Sequence, residues 1–368
     1  MRLGIDASTY LEMENIHHAK YFDGNKEIEP LDAFSNNGVD VMRIRIWNDP
    51  YGRNGEPYLA GTCDVDNFIK LAMLSEEKGY KIMADFHYSD FWADPAKQCV
   101  PKAWQNFDLQ GLVDHVYAFT AETLKTAKAH GIDIEFIQVG NEITNGILWP
   151  FGHLDEQPDG SRTNYDSLIK LLNAGIKACR EVYPKAGIIL HLERSYDQKI
   201  YNEFYGKMEE AKVDYDIIGM SYYSYWHGPF NQFFANVDNC KKFKKRIMVV
   251  ELGRAFTSED YIKSDDSEAL MVNNGTHEDE AFNTQYPLTV DGQRRFVKDF
   301  LELAQKHKIE LVCYWEPLWT PFGENCWASN AGKEYIHSDK KSNRNEYANH
   351  CLFDYTGHKL PAFDEYKV

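Results

Sequence analysis

The chain has no apolar run approaching 18 residues, so nothing in it reads as a membrane-spanning helix. Its seven cysteines (Cys63, Cys99, Cys179, Cys240, Cys313, Cys326 and Cys351) are scattered, odd in number and without a CxxC pair. That pattern argues against a disulfide framework and against a zinc site. No P-loop, no GxGxxG after a strand and no GxSxG is present, which removes the usual phosphate, dinucleotide and serine-hydrolase signatures. There is no Ser/Gly-rich linker, no low-complexity tract and no abrupt change of composition. Met1-Arg2-Leu3-Gly4-Ile5-Asp6 reads as a strand with no apolar run before it. The expectation is therefore a cytoplasmic protein, or a secreted one whose leader has been removed. Positive charge is also scarce. Lys plus Arg number 40 against 57 Asp plus Glu, a net charge of −17. This excludes nucleic acid and anionic membranes as expected partners.

What the chain has in quantity is aromatic residues, with 8 Trp and 23 Tyr. Flat apolar faces with polar edges suit sugars. Short apolar runs at 3–6, 41–47, 81–87, 134–142, 187–193, 215–223, 246–251 and 311–316 alternate with amphipathic stretches. The runs are near-continuous, as expected of parallel strands covered on both faces. Between them, Leu109, Leu112, Val113, Val116 and Phe119 keep a helical stripe, as do Leu168, Leu171, Leu172 and Ile176, and Phe296, Val297, Phe300 and Leu301. Gly38, Gly79 and Gly131 stand where helices should stop. Eight strands alternating with helices predict an α/β fold, a single (β/α)8 TIM barrel domain over residues 1–368. Strand-to-helix connections are long, roughly 88–108, 143–164, 253–289 and 317–350. They all fall on the C-terminal face, where barrel active sites are built.

Two strands end in Glu at that face, Glu142 on the fourth and Glu251 on the seventh. Their tips face each other across an eight-strand ring. Paired carboxylates across a cleft are what glycoside hydrolysis needs: one donates a proton to the leaving oxygen, the other attacks or activates water. Apolar surroundings would help raise the pKa of the acid. Arg43 and Arg45 are two apart on one side of the second strand, and one of them is expected to hold Glu251 ionised. Trp92, Trp226 and Trp315 each sit among polar residues beyond a strand and read as sugar platforms. His87 reads equally as a site residue or a satisfied structural group. His17-His18 is a bare pair. The stretch 265–279 is rich in oxygen ligands but lacks EF-hand spacing, and reads by default as a solvated loop.

The strings Arg-Ile-Arg-Ile-Trp-Asn-Asp-Pro from Arg43, Asp-Phe-His-Tyr-Ser-Asp-Phe-Trp-Ala-Asp-Pro from Asp85, Gln-Val-Gly-Asn-Glu-Ile from Gln138, Ser-Tyr-Tyr-Ser-Tyr-Trp-His-Gly from Ser221 and Tyr-Trp-Glu-Pro-Leu-Trp from Tyr314 resemble glycoside hydrolase family 53. The tail from Cys351 to Pro361 is similar to the end of its bacterial members. These are arabinogalactan endo-β-1,4-galactanases, retaining (β/α)8 hydrolases that cut galactan side chains of pectin. The resemblance implies Glu142 as acid/base, Glu251 as nucleophile and Asn141 on the sugar 2-hydroxyl. It implies Arg45, His87 and Trp315 as supporting residues, and Asp90, Trp92, Tyr222, Trp226 and His227 at substrate subsites. No cofactor is implied for the chemistry. A structural calcium is implied for bacterial members, with Asn274 and His277 in the corresponding region. The expected partner is β-1,4-galactan or its oligosaccharides, met by a monomer.

Two positions depart from the family's pattern. Leu252-Gly253-Arg254 stands where Thr-Gly-Tyr is usual, and His191-Leu192-Glu193-Arg194-Ser195 where His-Leu-Asp-Asn-Gly is. Arg194 and Arg254 are expected to add positive charge near the cleft. The alternatives are a related hydrolase of β-mannan or β-glucan and a sugar-binding barrel without activity. A phosphate-handling barrel would want a Gly-rich phosphate loop that is not present.

Overall fold

The computed structural model describes residues 1–262, 270–273, 276, 278–340 and 344–367. Eight strands, all paired in parallel, close into one barrel: β1 (Arg2–Asp6), β2 (Val39–Ile46), β3 (Lys81–Phe86), β4 (Ile134–Val139), β5 (Gly187–Leu192), β6 (Ile217–Tyr222), β7 (Arg246–Leu252) and β8 (Leu311–Trp315). Closure is made by β1 against β8, with Arg2 opposite Leu311 and Asp6 opposite Trp315. A helix follows each strand: α1 (Pro30–Asn36), α2 (Val65–Glu77), α3 (Leu109–Ala129), α4 (Tyr165–Val182), α5 (Gln198–Glu210), α6 (Phe230–Cys240), α7 (Val290–Lys306) and α8 (Pro361–Glu365).

The helices start where the sequence supplies caps. Side chains of Asp64, Asp108, Asp197 and Thr289 accept hydrogen bonds from first-turn N–H groups of α2, α3, α5 and α7. Three of them stop as expected at Gly38, Gly79 and Gly131, all at positive φ. The buried faces of α4 and α7 carry the predicted stripes, Leu168, Leu171, Leu172 and Ile176 on one and Phe296, Val297, Phe300 and Leu301 on the other.

Three apolar clusters result among the described residues. The largest lies between strands and helices. A second, rich in aromatic rings, includes Trp47, Phe91, Trp315 and Trp319. The smallest fills the lower barrel interior with Val41, Met83, Phe136, Ile189, Ile217, Met248, Val250, Leu311 and Cys313. That plug is apolar throughout, as barrel interiors are. The same strands, continued toward their C-terminal ends, turn polar. The described parts of the long loops after β3, β4, β7 and β8 contribute to that end, among them Asp94, Met271, Trp327 and Tyr347. All seven cysteines are free.

Candidate active site

The floor of the upper barrel is built around a guanidinium. Arg43, on β2 and wholly buried, places Nη1 2.7 Å from Asp6 Oδ2 and 3.0 Å from Glu251 Oε1. Its Nη2 lies 2.9 Å from Asp85 Oδ2 and donates to Asn141 Oδ1 at 2.8 Å. Arg45, two residues on, pairs through Nη1 with Glu316 Oε1 at 2.7 Å and lies 4.5 Å from the centre of the Trp92 ring. A buried cation is tolerated only when so surrounded.

Carboxylates still outnumber these two cations. Asp6, Asp85, Glu142, Glu193, Glu251 and Glu316 share the space with Arg43 and Arg45. Burial, more than the neighbouring charges, raises Glu142, Glu193, Glu251 and Glu316 above the ordinary carboxylate range.

Glu142 and Glu251 differ in how they are held. Glu251 sits in β7 and is nearly buried. Arg43 contacts one of its oxygens, and the Tyr223 hydroxyl donates to the other, Oε2, at 2.9 Å. Both partners favour its anion. Glu142 lies beyond β4, which ends at Val139. The chain turns through Gly140 at φ +84°. Glu142 itself is left-handed, at φ 47° and ψ 53°. A non-glycine residue held there stores of the order of 1–3 kcal/mol, and such strain collects at functional sites. The turn swings its carboxylate over the barrel mouth. Its one hydrogen bond within the described residues comes from Ser221 Oγ to Oε1, 2.7 Å. Burial and the facing Glu251 push its pKa well above the ordinary value. One oxygen of Glu142, one of Glu251 and one ring nitrogen of His191 lie within 4.8 Å of one another.

These groups open into a cleft of about 560 Å³ walled by Trp92, Trp226, Trp315, Trp327 and Tyr347. Trp226, on the rim, is 45% exposed. Such a cleft offers ring faces for apolar C–H surfaces and fixed polar groups for hydroxyls. Its two close carboxylates, one stabilised as an anion and one favoured as an acid, can perform acid-assisted displacement at an acetal carbon.

The profile of glycosyl hydrolase family 53 matches residues 2–366. The chain belongs to glycosyl hydrolase family 53. It is 32% identical to an endo-β-1,4-galactanase of Bacillus subtilis (strain 168), over 99% of this chain and 85% of the relative. It is 29% identical to the arabinogalactan endo-β-1,4-galactanase A of Aspergillus niger, over 88% and 87%. Among solved structures, the family-53 catalytic domain of Ignisphaera aggregans superposes with a TM-score of 0.85 at 32% identity, covering 99% of this chain and 94% of that one.

Within this family-53 cleft the structure gathers Arg45, His87, Trp92, Asn141, Glu142, Trp226, His227, Glu251 and Trp315, all expected there. Two expected residues are not brought to it. Asp90 is buried beside the cleft, its Oδ2 accepting from the Lys102 backbone N–H and ammonium at 2.8 Å each. Tyr222 faces outward into the helix layer, against Phe233 and Phe300. The reason is strand alternation, since Ser221 and Tyr223 flank it on the inward side. Asn274 and His277 lie outside the described residues. Among the described residues, Asp260 pairs with Arg344 at 2.7 Å and Glu346 with Lys340 at 2.5 Å, so these acidic groups already meet cations of the chain itself. Arg254 adds no free charge to the cleft. It is buried and paired with Glu278 at 2.6 Å. Arg194 remains partly exposed, 3.5 Å from Glu193.

Sequence reasoning missed His191, Ser221, Tyr223 and Glu193 as site residues. His191 and Glu193 share the inward parity of Ile189, as Ser221 and Tyr223 share that of Ile217, and could have been found from it.

Proposed function

We propose that the cleft hydrolyses internal β-1,4-galactosidic bonds of galactan with retention. In this reading Glu142 protonates the departing glycosidic oxygen while Glu251 attacks the anomeric carbon, giving a covalent galactosyl-enzyme. Water, deprotonated by the now anionic Glu142, then attacks the same carbon and releases Glu251. The observation that carries the reading is the approach of the two carboxylates. Facing oxygens no more than 4.8 Å apart accord with the roughly 5–5.5 Å carboxyl separation of retaining enzymes better than with the about 6.5–9.5 Å of inverting ones.

Other groups support it. Asn141 Nδ2 donates to Ala93 O at 2.9 Å, which leaves its second hydrogen for a sugar 2-hydroxyl. Arg43 and Tyr223 favour the Glu251 anion against the burial that raises its pKa. His87 donates from Nε2 to Asp85 at 3.1 Å and accepts the Ala93 N–H at Nδ1, which fixes it as a neutral wall. The galactan specificity is supported by the printed names of the Bacillus and Aspergillus relatives. No metal enters the steps. Both nitrogens of His191, beside the carboxylate pair, are already engaged in hydrogen bonds. A mannan- or glucan-cutting barrel and a non-catalytic one are not favoured.

The test is product analysis on β-1,4-galactan, with β-mannan and β-glucan as controls. A ladder of galacto-oligosaccharides from galactan alone is expected. Galactose as sole product overturns endo action, and hydrolysis of mannan or glucan in preference overturns the substrate.

A further inference from the structure

We propose that His191 and Ser221 form a positioning chain that assigns the two oxygens of Glu142 different duties, Oε1 as a permanent hydrogen-bond acceptor and Oε2 as the carrier of the catalytic proton. The proposal rests on the reading of Glu142 as acid/base.

The geometry has a direction. His191, wholly buried on β5, has its Nδ1 3.4 Å from the backbone N–H of Glu142 and 3.2 Å from Gln138 Nε2. The backbone N–H can only donate. The Gln138 amide is oriented by its own partners, since its Oε1 accepts from Arg43 and its Nε2 donates to Asp85 Oδ1 at 2.6 Å. After Asp85, Gln138 Nε2 has one hydrogen left among Gly140 O, Asn141 Oδ1 and Nδ1, so the donor that assigns the lone pair to Nδ1 is the Glu142 backbone N–H. Asn141 Oδ1, 3.1 Å from Nδ1, already accepts from Arg43 Nη2 at 2.8 Å. The ring proton then sits on Nε2, 2.8 Å from Ser221 Oγ. With that lone pair used, the serine hydrogen points to Glu142 Oε1, 2.7 Å away. Burial holds His191 well below its usual pKa, which keeps the ring neutral and the direction constant.

The backbone is shaped for this chain. Gly219 on β6 pairs with His191 on β5. A Cβ at 219 would lie 2.8 Å from Ile189 Cγ2 and 3.3 Å from His191 Cβ, so any larger residue pushes the imidazole away. At Ser221 the register against β7 shifts, setting Ser221 beside Glu251. Such irregularities re-aim side chains at functional sites.

Around Glu142, charge comes from Glu251 on β7, Glu193 after β5 and Asp94 after β3. All three oppose its ionisation. Arg43 on β2 is turned to Glu251, and His227 is held neutral by burial. The serine hydrogen is thus the main group that favours the Glu142 anion. An acid that must become a base in the second half of the cycle needs such a partner. Without it the proton is held too tightly for deglycosylation.

The sign of the test follows. Removing the serine hydroxyl raises the pKa of Glu142. In Ser221→Ala the basic limb of the kcat/KM profile on galactan should move up by about one pH unit. The acidic limb of deglycosylation, read on an aryl galactoside with a good leaving group, should move up with it. Ser221→Thr, which keeps the hydroxyl, should restore the wild-type limbs. In a Glu142→Gln background, Ser221→Ala should shift no limb and add little further loss. Limbs unchanged in Ser221→Ala, or an equal loss in both backgrounds, overturn the chain and leave Ser221 a packing residue. Wild-type galactan turnover in Glu142→Gln alone overturns the acid/base reading instead. Should Ser221→Ala not fold, Ser221→Cys carries the same test with a weaker donor and a smaller shift in the same direction.

Discussion

The lower and upper halves of the barrel interior are made by the same strands and do opposite work. Val41 lies below Arg43 and Arg45, Met83 below Asp85, Phe136 below Gln138, Ile189 below His191, Ile217 below Ser221. Two to four residues along each of these strands, an apolar plug becomes a crowd of polar and ionisable groups. The lower set gains free energy by leaving water, roughly 1.5–3 kcal/mol for each large side chain. The upper set loses solvation and recovers it only through partners. The lesson is that stability and reactivity are separated by height in one closed sheet. A site rich in raised carboxylates is affordable because the floor beneath it is apolar and buried.

The largest test of this contrast is Glu251→Ala, which should lower galactan turnover by at least roughly 10⁴-fold, with partial rescue by azide as an inverted galactosyl azide. Near wild-type turnover would falsify the nucleophile assignment. Glu142→Gln should lower galactan turnover by about 10²–10⁴-fold and spare aryl galactosides with good leaving groups. It should also reveal the cost of the upper set. Glu142 has a folded pKa above its unfolded value. Its contribution to stability is therefore full at low pH and lost as pH rises through the folded value. The glutamine variant should match the wild-type melting temperature at about pH 4 and exceed it increasingly toward about pH 8. A gap that narrows as pH rises would contradict this.

A matched pair then compares the halves directly. Arg43→Met leaves Asp6, Asp85 and Glu251 without their shared cation and should destabilise by about 3–5 kcal/mol while also abolishing turnover. Ile189→Ala, one layer lower, should cost a comparable 2–5 kcal/mol yet leave kcat per folded molecule and its pH limbs in place. Denaturant unfolding beside active-fraction kinetics separates the two. If Ile189→Ala shifts the limbs, height does not separate the functions. The smallest effect belongs to the rim. Trp226→Ala should raise KM about 10-fold or less, roughly 1 kcal/mol of lost stacking, with kcat on short substrates unchanged.

Much of this was legible in advance, for reasons that differ by residue. The eight runs could be read because parallel strands covered on both sides are continuously apolar, and their observed bounds fall within a few residues of the expected ones. The cleft was legible because long connections and Trp, Asp and His clusters recur after several strands. Nine of the eleven catalytic and substrate residues expected from sequence line it. Tyr222 was misplaced because the wrong member of the Tyr222-Tyr223 pair was chosen for the site; alternation sends Tyr223 in and Tyr222 out. Arg43 was narrowed to the background because the resemblance pointed at Arg45. The structure puts Arg43, not Arg45, against Glu251.

Glu251 shows where sequence alone stops. Met248 and Val250 fill the barrel, while Val249 and Leu252 pack with the outer core. Simple alternation would send Glu251 outward as well. A register shift between Val249 and Leu252 turns it in. The sequence by itself determined the barrel, the family and the identity of both carboxylates, because periodicity, capping and motif are properties of neighbouring residues. The tertiary structure alone decided which way Glu251 faces, which arginine holds it and which groups surround the ring of His191. Each of those depends on groups far apart in the chain, made neighbours only when the sheet closes.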